Sequence, residues 1–207
     1  MNTEIVEKEI QDCKACQNVK QITFDKPIVF KGRSNNTVMI IGHSPTVRSK
    51  SQAYTVLKLD MPNLQLYKYI IEKILDPLNI SIDNVYATNL IKCKTTLLPE
   101  DIKNSKHFFE KTFYNCRKLL EKEIESVQPQ LIISLSERVL HILSETYMSK
   151  KLNMKDSFAQ LYKLQINGKE YDYIPVVHLP KGRNSNVAKT YFPYQVDRLK
   201  MLRKKVN

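Results

Sequence analysis

No run of about 18 consecutive apolar residues occurs in the sequence, so no segment predicts a membrane-spanning helix. Residues 1–9 are rich in charge and lack the apolar stretch and small-residue cleavage site of a secretory signal. We therefore expect a cytoplasmic protein, a compartment in which disulfides rarely persist. The four cysteines of the chain then need another explanation.

The short patterns that build two common kinds of enzyme site are also missing. The sequence has neither the G-x-x-x-x-G-K-[ST] loop nor the G-x-G-x-x-G loop that binds nucleotide phosphates. It lacks the G-x-S-x-G elbow that holds the serine of α/β-hydrolases. These absences argue against a nucleotide-binding glycine loop and against a serine-hydrolase site.

The composition is that of a folded, basic domain. Hydrophobic residues make up 42% of the 207 residues, which is enough for a core in one α/β domain. Lys and Arg number 33 against 21 Asp and Glu, so the formal net charge is +12. Such an excess attracts polyanions, and nucleic acid is the commonest of these. The alternative is a lysine-rich surface that is simply solvated.

Apolar runs and helical patterns alternate along the chain, which predicts a single domain over residues 1–207 with a three-layer αβα fold and a mostly parallel central sheet. The predicted helices cover residues 3–12, about 60–75, about 116–127, a segment capped by Ser136, and the chain from about Phe192. The predicted strands cover residues 37–41, 85–89, 131–135 and the arm that follows a hairpin turn at Asn167 and Gly168. Ligands of such sheets bind beyond the carboxyl ends of the strands, where residues 42–46, 89–93 and 178–182 lie.

The cysteines predict a metal centre. Cys13 and Cys16 form a C-x-x-C pair, whose sulfurs can face one ion from a tight turn. Cys93 and Cys116 can complete a four-thiolate site only through the fold, and such a site would tie residues 1–30 to the middle of the chain. Zinc and a [4Fe–4S] cluster both accept four thiolates, and the spacing does not separate them. Buried core thiols and a redox C-x-x-C pair are the alternatives.

Six motifs in order resemble those of the family 4 uracil-DNA glycosylases. They are the C-x-x-C pair, Gly42-His-Ser-Pro-Thr46, Thr88-Asn-Leu-Ile-Lys-Cys93, Cys116, Pro129-Gln-Leu-Ile-Ile-Ser-Leu-Ser136 and His178-Leu-Pro. The resemblance covers residues from about 10 to 200. It implies a uracil-DNA glycosylase-like fold, a [4Fe–4S] centre, DNA as the partner, and a repair reaction in which uracil is flipped into a pocket and its glycosidic bond is cleaved.

The resemblance also implies roles for single residues. Asn89 matches the side chain that reads the uracil edge, because an amide offers the acceptor and donors that a pyrimidine edge requires. Tyr54 lies where the family stacks an aromatic ring on the base, and His178 matches the histidine that stabilises the departing uracil anion. Without the resemblance, Tyr54 is more often an ordinary packing residue. Asn89 is also typical of an asparagine that ends a strand in a turn, and His178 of a loop histidine that makes a backbone hydrogen bond.

Several positions depart from the family pattern. His43 stands where the family has the acid that positions the attacking water, and the loss of a positioned base typically costs about 10²–10⁴-fold in rate. Thr46 replaces a loop glycine, Ser136 replaces a helix-start glycine, and Leu179 and Lys181 change the H-P-S loop. The interval between the last two cysteines is also longer than is usual in the family. We therefore predict a pseudo-glycosylase with little or no uracil excision, and an active uracil-DNA glycosylase using His43 and His178 is the alternative.

The predicted nucleic-acid contacts are basic residues near the same segments, and they would bind single-stranded or duplex DNA in a basic groove: Lys92, Lys94, Lys181, Arg183 and Lys189. A basic residue of this kind, taken alone, is more often a solvated surface charge. A third possibility is a module that binds a protein partner in the groove where the family binds DNA, and the sequence specifies no such partner.

Overall fold

The structure is a computed structural model that describes residues 2–45, 55–98, 101–179 and 186–206, with side chains in the last range described for residues 190–205. Its helices are α1 (Thr3–Asp12), α2 (Gln65–Ile70), α3 (Asp76–Leu78), α4 (Ser105–Val127), α5 (Glu137–Tyr147), α6 (Met154–Ser157) and α7 (Asn186–Val206). A π-helical turn, Ile71–Leu75, joins α2 to α3, and short 3₁₀ turns occupy Val56–Lys58 and Ile82–Asn84. Its strands are β1 (Phe30–Lys31), β2 (Val38–Gly42), β3 (Val85–Asn89), β4 (Leu131–Leu135), β5 (Tyr162–Ile166) and β6 (Lys169–Val176).

The described strands form one sheet in the order β1-β3-β2-β4-β6-β5. The four central strands are parallel, and the two edge strands β1 and β5 are antiparallel to their neighbours. The register pairs Gly42 with Asn89 and Leu135 with Val176, so the carboxyl ends of the central strands meet at one edge. With helices flanking the sheet, this confirms the predicted three-layer α/β fold.

Burial of the central strands explains why they appear in the sequence as continuous apolar runs. All five residues of β2, β3 and β4 are buried, as expected for parallel strands covered on both faces. Helix α5 packs on β4 and β5, α1 packs on α4, and α7 packs on α3 and the π-helical turn. No helix in the described ranges is both long and apolar enough to cross a membrane.

Three predicted helix starts are wrong. Helix α4 begins at Ser105, not Cys116, and α7 begins at Asn186, not Phe192. The helix predicted from Asp60 begins at Gln65, because the Asp60 carboxylate accepts a hydrogen bond from Thr55 and caps no helix.

The predicted cap by the Ser136 hydroxyl is also wrong. Ser136 precedes α5, but its side chain makes no capping hydrogen bond, and its Oγ is buried without a hydrogen-bond partner among the described residues. Its φ of 94° lies in the region that favours glycine. The turn from β4 into α5 therefore has a backbone conformation typical of glycine, although a serine occupies the position.

Candidate functional site

A cavity of about 290 Å³ opens at the carboxyl end of the parallel strands. Three polar residues that the sequence predicted line it: His43, Asn89 and His178. Pro45, Leu57 and Leu66 are among the apolar residues of its walls. His43 follows β2, Asn89 ends β3, and His178 follows β6, so the parallel topology places the three residues together. We call this cavity the strand-end pocket.

Asn89 owes its position to the missing side chain at Gly42. The two residues are register partners, and a Cβ atom added to Gly42 would lie 2.5 Å from Asn89 Oδ1 and 2.9 Å from Leu57 Cδ2. Asn89 is only 4% exposed, so its amide is held inside the pocket and not on the outer surface. A glycine at position 42 is therefore needed for Asn89 and Leu57 to approach the strand this closely.

A buried charged network supports the backbone of Asn89. Lys92 Nζ donates to Asn89 O at 2.7 Å and to Thr88 Oγ1 at 2.8 Å, and it forms an ion pair with Glu123 of α4. Glu123 Oε1 also accepts from Thr88 at 2.7 Å and from the Tyr86 hydroxyl at 3.0 Å. Burial and the Glu123 charge raise the pKa of Tyr86, which therefore stays a neutral donor.

The predicted phosphate contact for Lys92 is wrong, because the Lys92 side chain is only 3% exposed and its ammonium group points inward. Lys94 is also restrained: its side chain is 15% exposed, and its Nζ lies 3.5 Å from Asp25 Oδ2. Both lysines belong to the loop after β3, and neither is presented to solvent as an open phosphate contact.

His43 forms a neutral wall of the strand-end pocket. Its Nδ1 lies 3.2 Å from Ser44 Oγ, and its ring packs edge-on against Phe109 with the ring centroids 4.3 Å apart. Its Nε2 is buried and has no hydrogen-bond partner among the described residues. Burial lowers the pKa of His43 to about 3, with Arg138 and His178 adding to the effect, so the ring is uncharged at neutral pH.

His178 lies exposed at the rim of the pocket. Its Nδ1 is 2.7 Å from the carbonyl oxygen of Leu179, and this bond requires a proton on Nδ1. The neutral ring then presents Nε2 as an acceptor, and the protonated ring presents Nε2–H as a donor. Donation from Nε2 to an anion in the pocket therefore requires the imidazolium form.

The four cysteines gather in one region beside the sheet. Cys16 and Cys93 pack with Ile22 in a small buried cluster separate from the main core. Burial raises the pKa of Cys93 to about 12, and the neighbouring thiols of Cys116, Cys16 and Cys13 add to the rise. All four thiols are free, but among the described residues no three Cys, His, Asp or Glu side chains are arranged as ligands around one metal position.

Some neighbours of the thiols favour the thiolate form that a metal centre requires. Asn115 Nδ2 donates to Cys16 Sγ at 3.5 Å, and the backbone of Lys92 donates to Cys116. The charge of Lys26 acts on Cys93 in the direction that favours a thiolate. Burial still holds the pKa of Cys116 at about 11, so a metal cation would have to supply the energy that ionises these thiols.

A family model described as the uracil DNA glycosylase superfamily matches residues 30–203. The chain belongs to this superfamily. It is also 27% identical over 155 residues to the type-4 uracil-DNA glycosylase of Saccharolobus solfataricus, an alignment that covers 74% of this chain and 62% of the relative. The chain thus spans less than two thirds of that relative's length. Together the two matches make it a family 4-like member, while Cys13 and Cys16 precede the residues that the family model matches.

Within this uracil-DNA glycosylase superfamily member, some predicted site residues lie outside the described structure. Tyr54, Lys181 and Arg183 are among them, and Lys189 lies on α7 at a position whose side chain is not described. Sequence reasoning also missed two pocket residues, Leu57 and Lys58, which have left-handed φ values of 57° and 52°. Neither residue type favours that conformation, so nothing in the local sequence marks them.

Proposed function

We propose that this family 4-like protein binds DNA and holds a flipped-out uracil in the strand-end pocket, with little or no excision of the base. The observation that carries the proposal is the convergence of Asn89, His178 and a neutral His43 on one cavity of about 290 Å³. Side chains suited to recognising a base line this cavity, but position 43 offers no fixed negative charge.

Recognition of the base would come from the buried amide and the apolar walls. Asn89 can donate to and accept from the edge of a pyrimidine, and Leu57 and Leu66 can pack against its faces. Extrusion of a nucleotide costs a few kcal/mol, which edge hydrogen bonds and ring contacts repay inside the pocket. A buried polar group left unpaired by a wrong base would add a penalty, so the amide supports selectivity as well as affinity.

Excision needs more than recognition. Cleavage of the glycosidic bond passes through a cation-like sugar, and a nearby carboxylate both steadies that charge and activates water. His43 is uncharged, and the largest effect of a charged group on its pKa comes from the positive Arg138. A neutral ring under the influence of a guanidinium charge supports the proposal of slow or absent turnover.

The first test compares binding and excision on oligonucleotides that differ by one uracil. We expect wild-type protein to prefer the uracil strand without releasing the base under single-turnover conditions. Asn89→Ala should reduce that preference about tenfold, because one good set of base-edge hydrogen bonds contributes about 1–3 kcal/mol. Gel-shift titration and a base-release assay on the same samples measure both quantities.

The matched control for that test is Gln165→Ala, which removes an exposed amide from the edge strand β5. It should leave the uracil preference unchanged. Efficient base release by the wild type, lost in both Asn89→Ala and His178→Ala, would contradict the proposal and establish the second candidate function, an active uracil-DNA glycosylase. That candidate is favoured by the position of His178, which can donate from Nε2 at the pocket rim when it is protonated.

We also propose that Cys13, Cys16, Cys93 and Cys116 hold one metal centre, either a [4Fe–4S] cluster or zinc. The support is the shared region of the four thiols and the donors directed at them. Bound there, the metal would act structurally, since four thiolates leave no open coordination position, and it would fasten the segment before β1 to α4.

Removal of one thiolate tests the metal centre. Cys93→Ser should lose most of the bound metal, because serine is a poor ligand for both iron–sulfur clusters and zinc. Elemental analysis and the visible absorbance of the purified protein measure the content and separate iron from zinc. Met201→Ser, at a sulfur-containing side chain that is 78% exposed, is the control and should retain the metal. Full metal retention in Cys93→Ser would rule out the four-thiolate site.

A further inference from the structure

A second concave surface, of about 490 Å³, lies between residues 18–21 and the first half of α4. We call it the α4 groove and define it by six of its lining residues: Lys20, Gln21, Lys103, His107, Phe108 and Lys111. It is separate from the strand-end pocket, and none of its lining residues is among those that line that pocket.

The lining of the α4 groove is suited to an anion. Its lining contains three lysines, a histidine and several side-chain amides, and it contains no carboxylate. Lys20, Lys103 and Lys111 are exposed, and none of their ammonium groups lies within 4.0 Å of a carboxylate among the described residues. Ammonium groups and amide donors without acidic neighbours are the usual partners of phosphate oxygens.

The groove lies at the same end of the sheet as the pocket. The segment beside it pairs with the loop after β3, through a bridge between Ile22 and Thr95 and a hydrogen bond of 2.9 Å from Thr96 N to Gln21 O. That loop leaves the carboxyl end of β3, the strand that ends in Asn89. One DNA strand could therefore meet both surfaces without passing around the protein.

Two aromatic rings connect the groove to the pocket. Phe108 lines the groove and packs edge-on against Phe109, with centroids 5.0 Å apart. Phe109 in turn packs against His43, with centroids 4.3 Å apart, and His43 lines the pocket. A continuous series of ring contacts therefore links the lining of the groove to the lining of the pocket.

We propose that the α4 groove binds the phosphodiester backbone of the DNA strand whose base occupies the strand-end pocket. The inference rests on the proposed DNA binding and adds a second contact to it. Phosphate contacts of this kind raise affinity and fix the position of the strand, and they do not select the base. Removing them should weaken binding and its salt dependence while the uracil preference is kept.

The test uses Lys103→Ala/Lys111→Ala and a labelled single strand of about 12 nucleotides, a length within the usual range for one binding site. We expect the affinity to fall and the slope of log K against log salt to become shallower by about 1.4, since each phosphate contact on a single strand contributes about 0.7. Fluorescence anisotropy at several salt concentrations measures both. The ratio of affinities for strands with and without uracil should stay as in the wild type.

The matched control is Lys155→Ala/Lys169→Ala, which removes the same charge from two exposed lysines. Lys169 begins β6 and therefore lies at the opposite end of the sheet from the groove. An equal loss of slope in both double variants would overturn the inference, because it would show a response to net charge alone. An unchanged slope in Lys103→Ala/Lys111→Ala would overturn it as well.

The same data separate this inference from the proposed pocket function. Suppose that the wild type shows no uracil preference and that, of the two double variants, only Lys103→Ala/Lys111→Ala has a shallower salt slope. This result would refute the pocket function and support the groove. A clear uracil preference with an unchanged slope in the groove variant would refute the groove alone. Absence of any binding to the strand at low salt would refute both.

Discussion

Replacing Lys92 by methionine is expected to lower the free energy of unfolding by about 3–5 kcal/mol, the usual cost of leaving one partner of a buried ion pair without the other. Lys92 is 4% exposed and Glu123 is 1% exposed, so the remaining carboxylate cannot regain water without local unfolding. The hydrogen bonds from Thr88 and Tyr86 to Glu123 would remain, but they do not neutralise its charge. Urea unfolding followed by circular dichroism measures the loss.

The neighbouring residue on α4 provides the control. Lys122 Nζ lies 2.6 Å from Glu9 Oε2, but these side chains are 40% and 39% exposed. Lys122→Met should therefore cost less than about 1 kcal/mol, as exposed ion pairs do. The double variant Lys92→Met/Glu123→Gln should be more stable than Lys92→Met, because no lone charge is left inside. A loss in Lys92→Met no larger than that in Lys122→Met would show that the pair is not a main support of the fold.

The fold was predictable where local pattern and burial agree. Strands β2, β3 and β4 are buried on both faces, so they must be apolar throughout, and this makes them visible in the sequence. The predicted hairpin turn is confirmed as well, since Asn167 and Gly168 have the positive φ values, 49° and 78°, that these residue types tolerate.

Helix α4 shows where the pattern was harder to use. Its buried residues Phe109, Phe113, Cys116, Leu120 and Ile124 follow helical spacing from the first turns onward. In the first part of α4, lysine, histidine and asparagine interrupt the apolar pattern. Only the second part, which is richer in apolar residues, was therefore predicted to be helical. The unpredicted part includes His107 and Lys111, which is why the α4 groove could not be predicted from the sequence.

The strand-end pocket was predictable because parallel strands bring their carboxyl ends together, and the three polar residues predicted for it follow or end such strands. The inward orientation of the Lys92 side chain was not predictable from the sequence. Its partner Glu123 is 31 residues away in the sequence, and a lysine near a strand end is usually solvated. Only the packing of α4 against β3 shows that this lysine supports Asn89 from inside.

His43→Glu is expected to raise uracil excision by about 10²-fold or more over the wild type, within the range that a positioned general base contributes. Burial is the largest cause that lowers the pKa of His43 to about 3, and burial would also disfavour a carboxylate there, whereas the charge of Arg138, the next cause, would favour one. The Arg138 guanidinium would therefore offset part of the cost of burying a carboxylate at position 43. Base release under single-turnover conditions, with protein in excess, measures the gain.

His43→Gln is the matched control, since it offers a polar side chain of similar length without charge. A gain in His43→Glu alone would show that the missing negative charge is the main defect of a pocket that is otherwise complete. If both variants bind the uracil strand and neither releases the base, the cause lies in the altered loops. Leu179 would then be the first residue to change, because its backbone carbonyl accepts the His178 Nδ1–H, and the residue type at this position affects the path of that backbone.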